Sequence, residues 1–169
     1  MRIISERSCP AGRSAWKSHA VAAGAVAVTA LVGGRAVDAD SAWYKALDKP
    51  PWQPPPWAFG AVWTPLYASI AWAAGRGLSR SRRGEHARLA ASLGTNLALN
   101  AGWNYLFFRC RSPRAGLAGT VLLDAGNAHL IVRTAAIDRT AAVALAPYAA
   151  WCLFATALNL SLVRRNPRR

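Results

Sequence analysis

Five apolar stretches, each long enough in helical form to cross a lipid hydrocarbon core, follow one another within a chain of 169 residues. Lipid offers no partners to backbone N–H and C=O groups, so such stretches are confined to helices or a closed barrel. Runs of roughly 20 apolar residues select the helix. The spans read as His19 to Val37, Trp57 to Gly75, Leu89 to Phe108, Ala115 to Val132 and Ala141 to Val163, with arginine or proline at each boundary. The expected fold is an all-α integral membrane protein, a five-transmembrane-helix bundle over residues 19–163. A basic, disordered extension over 1–18 precedes it and a basic tail over 164–169 follows. A soluble bundle would need a broad polar face on its helices, which these stretches lack.

Charge sits in the loops and tails. Twenty-one Lys and Arg against seven Asp and Glu give +14, which in a soluble chain would point to nucleic acid. In short connections between apolar spans, anionic lipid headgroups are the simpler partner, and no nucleic-acid partner is expected. The same charge leaves orientation undecided, because the two sides of a five-span topology carry eleven and ten basic residues. Residues 1–18 with Ala36-Val37-Asp38-Ala39 also fit a signal peptide and its cleavage region, but the first stretch matches the four that follow and reads better as a retained span. Cys9, Cys110 and Cys152 are widely separated and show no metal-ligand spacing, so no metal is expected.

The first connection is the most informative segment. Trp43 and Tyr44 are interface-seeking aromatics and Lys45 and Lys49 face headgroups. Prolines at 50, 51, 54, 55 and 56 impose a stiff, extended path. Such a loop can serve as a lid, holding Trp43 and Trp52 over a cavity, or as a plain interfacial anchor.

Four spaced patterns follow in order: Trp43-Tyr44-x-x-Leu47-x-Lys49-Pro50 with Pro54-Pro55; Val62-Trp63-x-x-Leu66-Tyr67; Leu99-Asn100-x-x-Trp103-Asn104-x-x-Phe107-Phe108; and Pro147-Tyr148-x-x-Trp151-x-x-Phe154-Ala155-x-x-Leu158-Asn159. Together they resemble the tryptophan-rich sensory protein and translocator protein (TspO/MBR, peripheral benzodiazepine receptor) family from about residue 20 to residue 163. The resemblance implies a five-helix membrane bundle, usually dimeric; the expected location is a bacterial cell membrane. It also implies a pocket beneath the first loop for porphyrins such as protoporphyrin IX and for other aromatic ligands, with the porphyrin as ligand or substrate and no cofactor required.

The residues point to the same region. Trp63, Leu66, Tyr67 and Ile70 share a face of the second span, and Tyr148, Trp151, Ala155 and Leu158 share one on the fifth, so two aromatic faces can sandwich a flat macrocycle. The expected ligand-binding set is Trp43, Trp52, Trp63, Tyr67, Asn100, Trp103, Asn104, Tyr148, Trp151 and Ala155. On the third span, Asn96, Asn100 and Asn104 form one stripe, expected to face the bundle or ligand, where amides find partners. Ala90, Gly94, Ala98 and Gly102 form a second stripe, displaced by roughly 140°. It is expected at a homodimer seam, with close packing inside one subunit as the alternative. Pro65 and Pro147 can bend their spans near the aromatic faces.

Two departures from the family stand out. Leu117 and Val121 lie where better-known members carry an aromatic and an acid, with Asp124 a turn later, which puts ligand contacts from the fourth span in doubt. The cholesterol-recognition pattern of the mitochondrial member's fifth helix is missing, since the first basic residue after Tyr148 is Arg164. The favoured function is a receptor or sensor for tetrapyrroles that assists their transport or regulation. Light-dependent porphyrin breakdown is the alternative, with Trp63 and Trp151 matching the tryptophans implicated in bacterial relatives. A plain transporter comes third, because the chain contains no evident inverted repeat.

Overall fold

A computed structural model describes residues 11–167, which form helices and connections with no strand. The long helices are α1 (Ala11–Ala36), α3 (Pro56–Arg80), α4 (Arg83–Asn104), α5 (Pro113–Ala135) and α7 (Ala146–Arg165). The short helix α2 (Ala42–Lys45) lies in the first connection and α6 (Arg139–Ala144) runs directly into α7, while a π-helical turn, Tyr105–Arg109, extends α4.

The helices outnumber the five spans expected, because two short ones, α2 and α6, accompany the five long ones. The fifth expected span is two helices, interrupted at Leu145, because Pro147 has no N–H to return to the previous turn and its ring obstructs the carbonyl four residues back. Proline instead occupies the first turn of α7, where its missing donor costs nothing, and the Ser69 hydroxyl donates to the Ala144 carbonyl at the break. Pro65, by contrast, lies inside a continuous α3. Among the described residues, three stretches, Ala15–Ala36, Pro113–Ala135 and Arg139–Arg165, are long and apolar enough to cross a membrane. α3 and α4 match them in length, but tryptophan, glycine and proline dilute the first and asparagine and arginine the second. The disordered extension expected over residues 1–18 is corrected in part: α1 begins at Ala11, so residues 11–18 are helical and the boundary expected at His19 falls inside α1, while residues 1–10 lie outside the described residues.

The bundle is apolar outside and amide-lined inside. Val21, Val28, Leu31 and Val32 of α1, Val121, Leu122 and Val132 of α5 and Leu153 of α7 are exposed, whereas Asn96, Asn100, Asn104, Asn127 and Asn159 are buried. A helix that is apolar all round belongs in lipid or in a large core. Burial of the asparagines follows from hydrogen bonding. The Tyr67 hydroxyl donates to Asn100 Oδ1 at 3.0 Å, Asn100 Nδ2 donates to the Tyr148 hydroxyl at 3.1 Å, that hydroxyl donates to Asn96 Oδ1 at 3.1 Å, and Asn96 Nδ2 donates to Asn127 Oδ1 at 2.7 Å. One chain of bonds thus ties α3, α4, α7 and α5.

At the end of the bundle remote from the first connection, Asp138 caps α6 by accepting from the Ala141 N–H at 2.8 Å and pairs with Arg76 at 3.1 Å and with Arg80. The Ala141 amide, and after it the two guanidinium groups, hold its carboxyl down at about 2 despite burial, so it remains ionised throughout the physiological range. That cluster fixes α3 against the α5–α6 connection.

Candidate functional site

At the first-connection end, α1, α3, α4 with its π turn, and α7 splay around a cavity of about 800 Å³, a size that suits a large organic ligand. Phe59, Trp63 and Tyr67 of α3 form one wall and Trp103, Asn104, Phe107 and Phe108 another. The second wall depends on the π turn, in which the Cys110 N–H reaches back five residues to the Tyr105 carbonyl at 3.1 Å. Such wide turns recur at functional sites because they re-aim side chains. Leu158, Asn159 and Leu162 supply the α7 wall, and Ala30 and Gly34 of α1 complete it.

The rings brace one another. Trp63 stacks on Tyr67 with centroids 5.1 Å apart and Trp103 on Phe107 at 5.9 Å, while Trp43 meets Phe107 edge-on at 5.5 Å. Flat, preformed aromatic walls lose little side-chain entropy when a flat ligand enters.

The first connection covers the cavity with Tyr44, Lys45, Lys49, Gln53 and Pro56. Gln53 Nε2 donates to the Tyr44 hydroxyl at 3.1 Å, and burial raises the Tyr44 phenol above its ordinary 10.0, with the Gln53 contact opposing. The cover is latched to the end of α7 by Asn166, whose Oδ1 accepts from the Asp48 N–H at 3.0 Å and whose Nδ2 donates to the Asp48 carbonyl at 3.1 Å. One amide thus satisfies both backbone groups of a residue on the loop, and Arg165 adds an exposed pair to the Asp48 carboxylate at 3.4 Å. Replacing Asn166 with Ala is expected to speed both entry and release of ligand roughly fivefold with little change in Kd, because two bonds of the closed state are lost. Stopped-flow quenching of tryptophan fluorescence measures both rates. Unchanged rates with a lower melting temperature would make the contact a structural strap.

Of the expected ligand-binding residues, Trp63, Tyr67, Trp103 and Asn104 line the cavity. Asn100 stands behind Tyr67 as its hydrogen-bond acceptor, and Tyr148, 1% exposed, lies behind Trp63 with ring centroids 6.1 Å apart. Trp151 is not in the lining: it meets the edge of Phe59 at 6.0 Å and stacks on Phe154 at 5.1 Å. Ala155 is not in the lining, and Trp43 and Trp52 support the cover through Phe107 and Phe154 and do not face the cavity. Asp124 of α5 accepts from the Thr156 hydroxyl at 2.6 Å and lies away from the lining, where α5 contributes nothing.

A helical bundle with membrane-length apolar helices, an amide-bonded interior and an aromatic cavity under a proline-rich cover defines the class of protein. The chain belongs to the TspO/MBR family, whose family model matches residues 20–165. It is 34% identical over 126 residues to the tryptophan-rich protein TspO of Chlorobaculum tepidum, covering 74% of this chain and 80% of that one. It is 36% identical over 141 residues to the translocator protein of Homo sapiens, with 80% and 82% covered. The tryptophan-rich sensory protein of Cereibacter sphaeroides is 32% identical over 127 residues, with 75% and 78% covered. The chain is a membrane protein of that family.

Proposed function

We propose that this protein is a multi-pass receptor or sensor of a bacterial cell membrane that binds tetrapyrroles of the protoporphyrin IX type, and other flat hydrophobic molecules, in the cavity under α2. The observation that carries this reading is the cavity itself, about 800 Å³ of space between braced aromatic walls. Binding there requires no cofactor. All five long helices cross the membrane in this reading, each having at least the roughly 20 residues that the hydrocarbon core requires.

Titration of the purified protein with protoporphyrin IX, in darkness and then under light, tests the reading. Saturable dark binding without product supports a receptor. Loss of the Soret band faster than with an unrelated membrane protein would favour the photochemical alternative, for which Trp63 is placed in the wall and Trp151 behind it. Absence of saturable binding would refute both.

The functional unit in this reading is a homodimer joined through α4. Ala90, Gly94 and Ala98 are exposed and Gly102 is partly so, on the side away from the buried asparagines, and a Cβ added to Gly94 or Gly102 would meet nothing within 4 Å. Close packing inside one subunit is therefore not their role, and small exposed residues at four-residue spacing suit a helix–helix seam. Gly94→Leu is expected to convert the protein to a monomer in detergent while leaving porphyrin affinity within about twofold, since no cavity residue is touched. Mass measurement by light scattering checks this; a dimeric Gly94→Leu protein would move the seam elsewhere.

A further inference from the structure

We infer that the mouth of the cavity carries a carboxylate subsite built on Lys49, which selects planar hydrophobic acids over their neutral esters and fixes which edge of the ligand faces the cover. The subsite rests on the proposed ligand-binding role and adds the ligand's charge and orientation.

Lys49 is placed before it binds anything. Pro50 follows it, which confines its backbone to the extended region, and Pro50 is itself buried. Its ammonium lies 4.4 Å from the centroid of the Tyr44 ring on the cavity wall. An aromatic face attracts a cation without neutralising it.

Neighbouring charges leave this one available. Among the described residues, the cavity wall holds three charged side chains, Asp40, Lys45 and Lys49, and the first two pair with each other at 3.1 Å. On the adjacent end of α7, Arg165 pairs with Asp48 at 3.4 Å. The net charge offered to a ligand under the cover is therefore the single positive charge of Lys49.

Unpaired polar atoms reinforce the point. Gln53 Oε1, in the cover, and Trp103 Nε1, in the α4 wall, are buried with no hydrogen-bond partner among the described residues. Trp103 Nε1–H is a donor only. Gln53 is adaptable: turning its amide over lets Oε1 accept from the Tyr44 hydroxyl and leaves its N–H donors without a partner. Burying such groups unpaired is unfavourable, and since both are closed off in this structure, a carboxylate-bearing ligand would satisfy them once their side chains turn toward it. Asn159 Oδ1 is the unpaired acceptor on the α7 wall, away from the cation. An acid edge therefore belongs beside Lys49 and Gln53, with the apolar edge against Trp63 and Leu158.

The test compares protoporphyrin IX with its dimethyl ester, in darkness, on full-length protein in nanodiscs of zwitterionic lipid. Affinities are expressed as variant over wild type, so that partitioning of each ligand into lipid cancels. Lys49→Met, and Lys49→Gln as a second replacement, are expected to weaken the free acid roughly tenfold and to leave the ester within twofold. Intact ester binding also verifies folding. Arg114→Met removes the same formal charge at the same end of the bundle without touching the cavity, and is expected to change neither ligand by more than about twofold. Equal weakening of acid and ester by the Lys49 variants would reduce Lys49 to a packing element and overturn the subsite. So would a loss of acid binding in Arg114→Met as large as in Lys49→Met, which would mean diffuse attraction. Failure of both ligands to bind the wild type would overturn the proposed function, and the subsite with it; that outcome is separate because it needs no variant.

Discussion

Trp63→Ala should weaken protoporphyrin IX binding roughly a hundredfold, whereas Trp151→Phe should change it less than about threefold. Trp63 lines the cavity and is held flat by its stack on Tyr67. Removing the indole therefore deletes a ligand-facing wall and loosens the ring behind it. Trp151 lies outside the lining, behind Phe59, and phenylalanine preserves most of that edge contact. Equilibrium quenching titrations of the two variants measure the contrast. Similar losses in both would mean that ligand sits nearer α7 than the cavity allows.

Gly75→Ala should destabilise the protein by about 3 kcal/mol even though alanine is the better helix former by about 1 kcal/mol. A Cβ at Gly75 would lie 2.6 Å from two ring carbons of His19 and 2.7 Å from its Cα. A side chain can rotate away from such a clash, but the Cα of α1 cannot, so the two helices must separate. Ala22, Val26, Ile70, Ala73 and Ala74 would lose packing in the same core. Thermal or denaturant unfolding in detergent reads the cost, and Gly34→Ala, whose new Cβ would meet nothing within 4 Å, is the matched control. Equal stability of both variants would show that α1 is not held where the structure puts it.

The sequence reveals faces better than depths. Asn96, Asn100 and Asn104 were legible as an inward stripe because amides four residues apart share a helix face and need partners in lipid, and all three are buried. The small stripe was legible as a separate face, and it is the outward one. On α7 the aromatic stripe was visible but its depth was not. Tyr148 is drawn into the amide chain with Asn96 and Asn100, so the cavity begins further along the helix at Leu158, Asn159 and Leu162. The break before Pro147 was legible only as a bend, since periodicity continues across it. In the cover, prolines announced a stiff path, yet nothing local turned Tyr44 and Lys49 inward and Trp43 against Phe107. Asn166 carried no signal at all: its partner Asp48 is 118 residues away, and only the folded bundle brings the two together.

A structure of the protein with protoporphyrin IX bound in a lipid bilayer tests the central claim most directly. The macrocycle is expected under α2, between Trp63 on one side and Trp103 and Phe107 on the other, with a carboxylate beside Lys49. A macrocycle seated on the outer surface of the bundle, with the cavity unchanged and empty beneath its cover, would contradict the account.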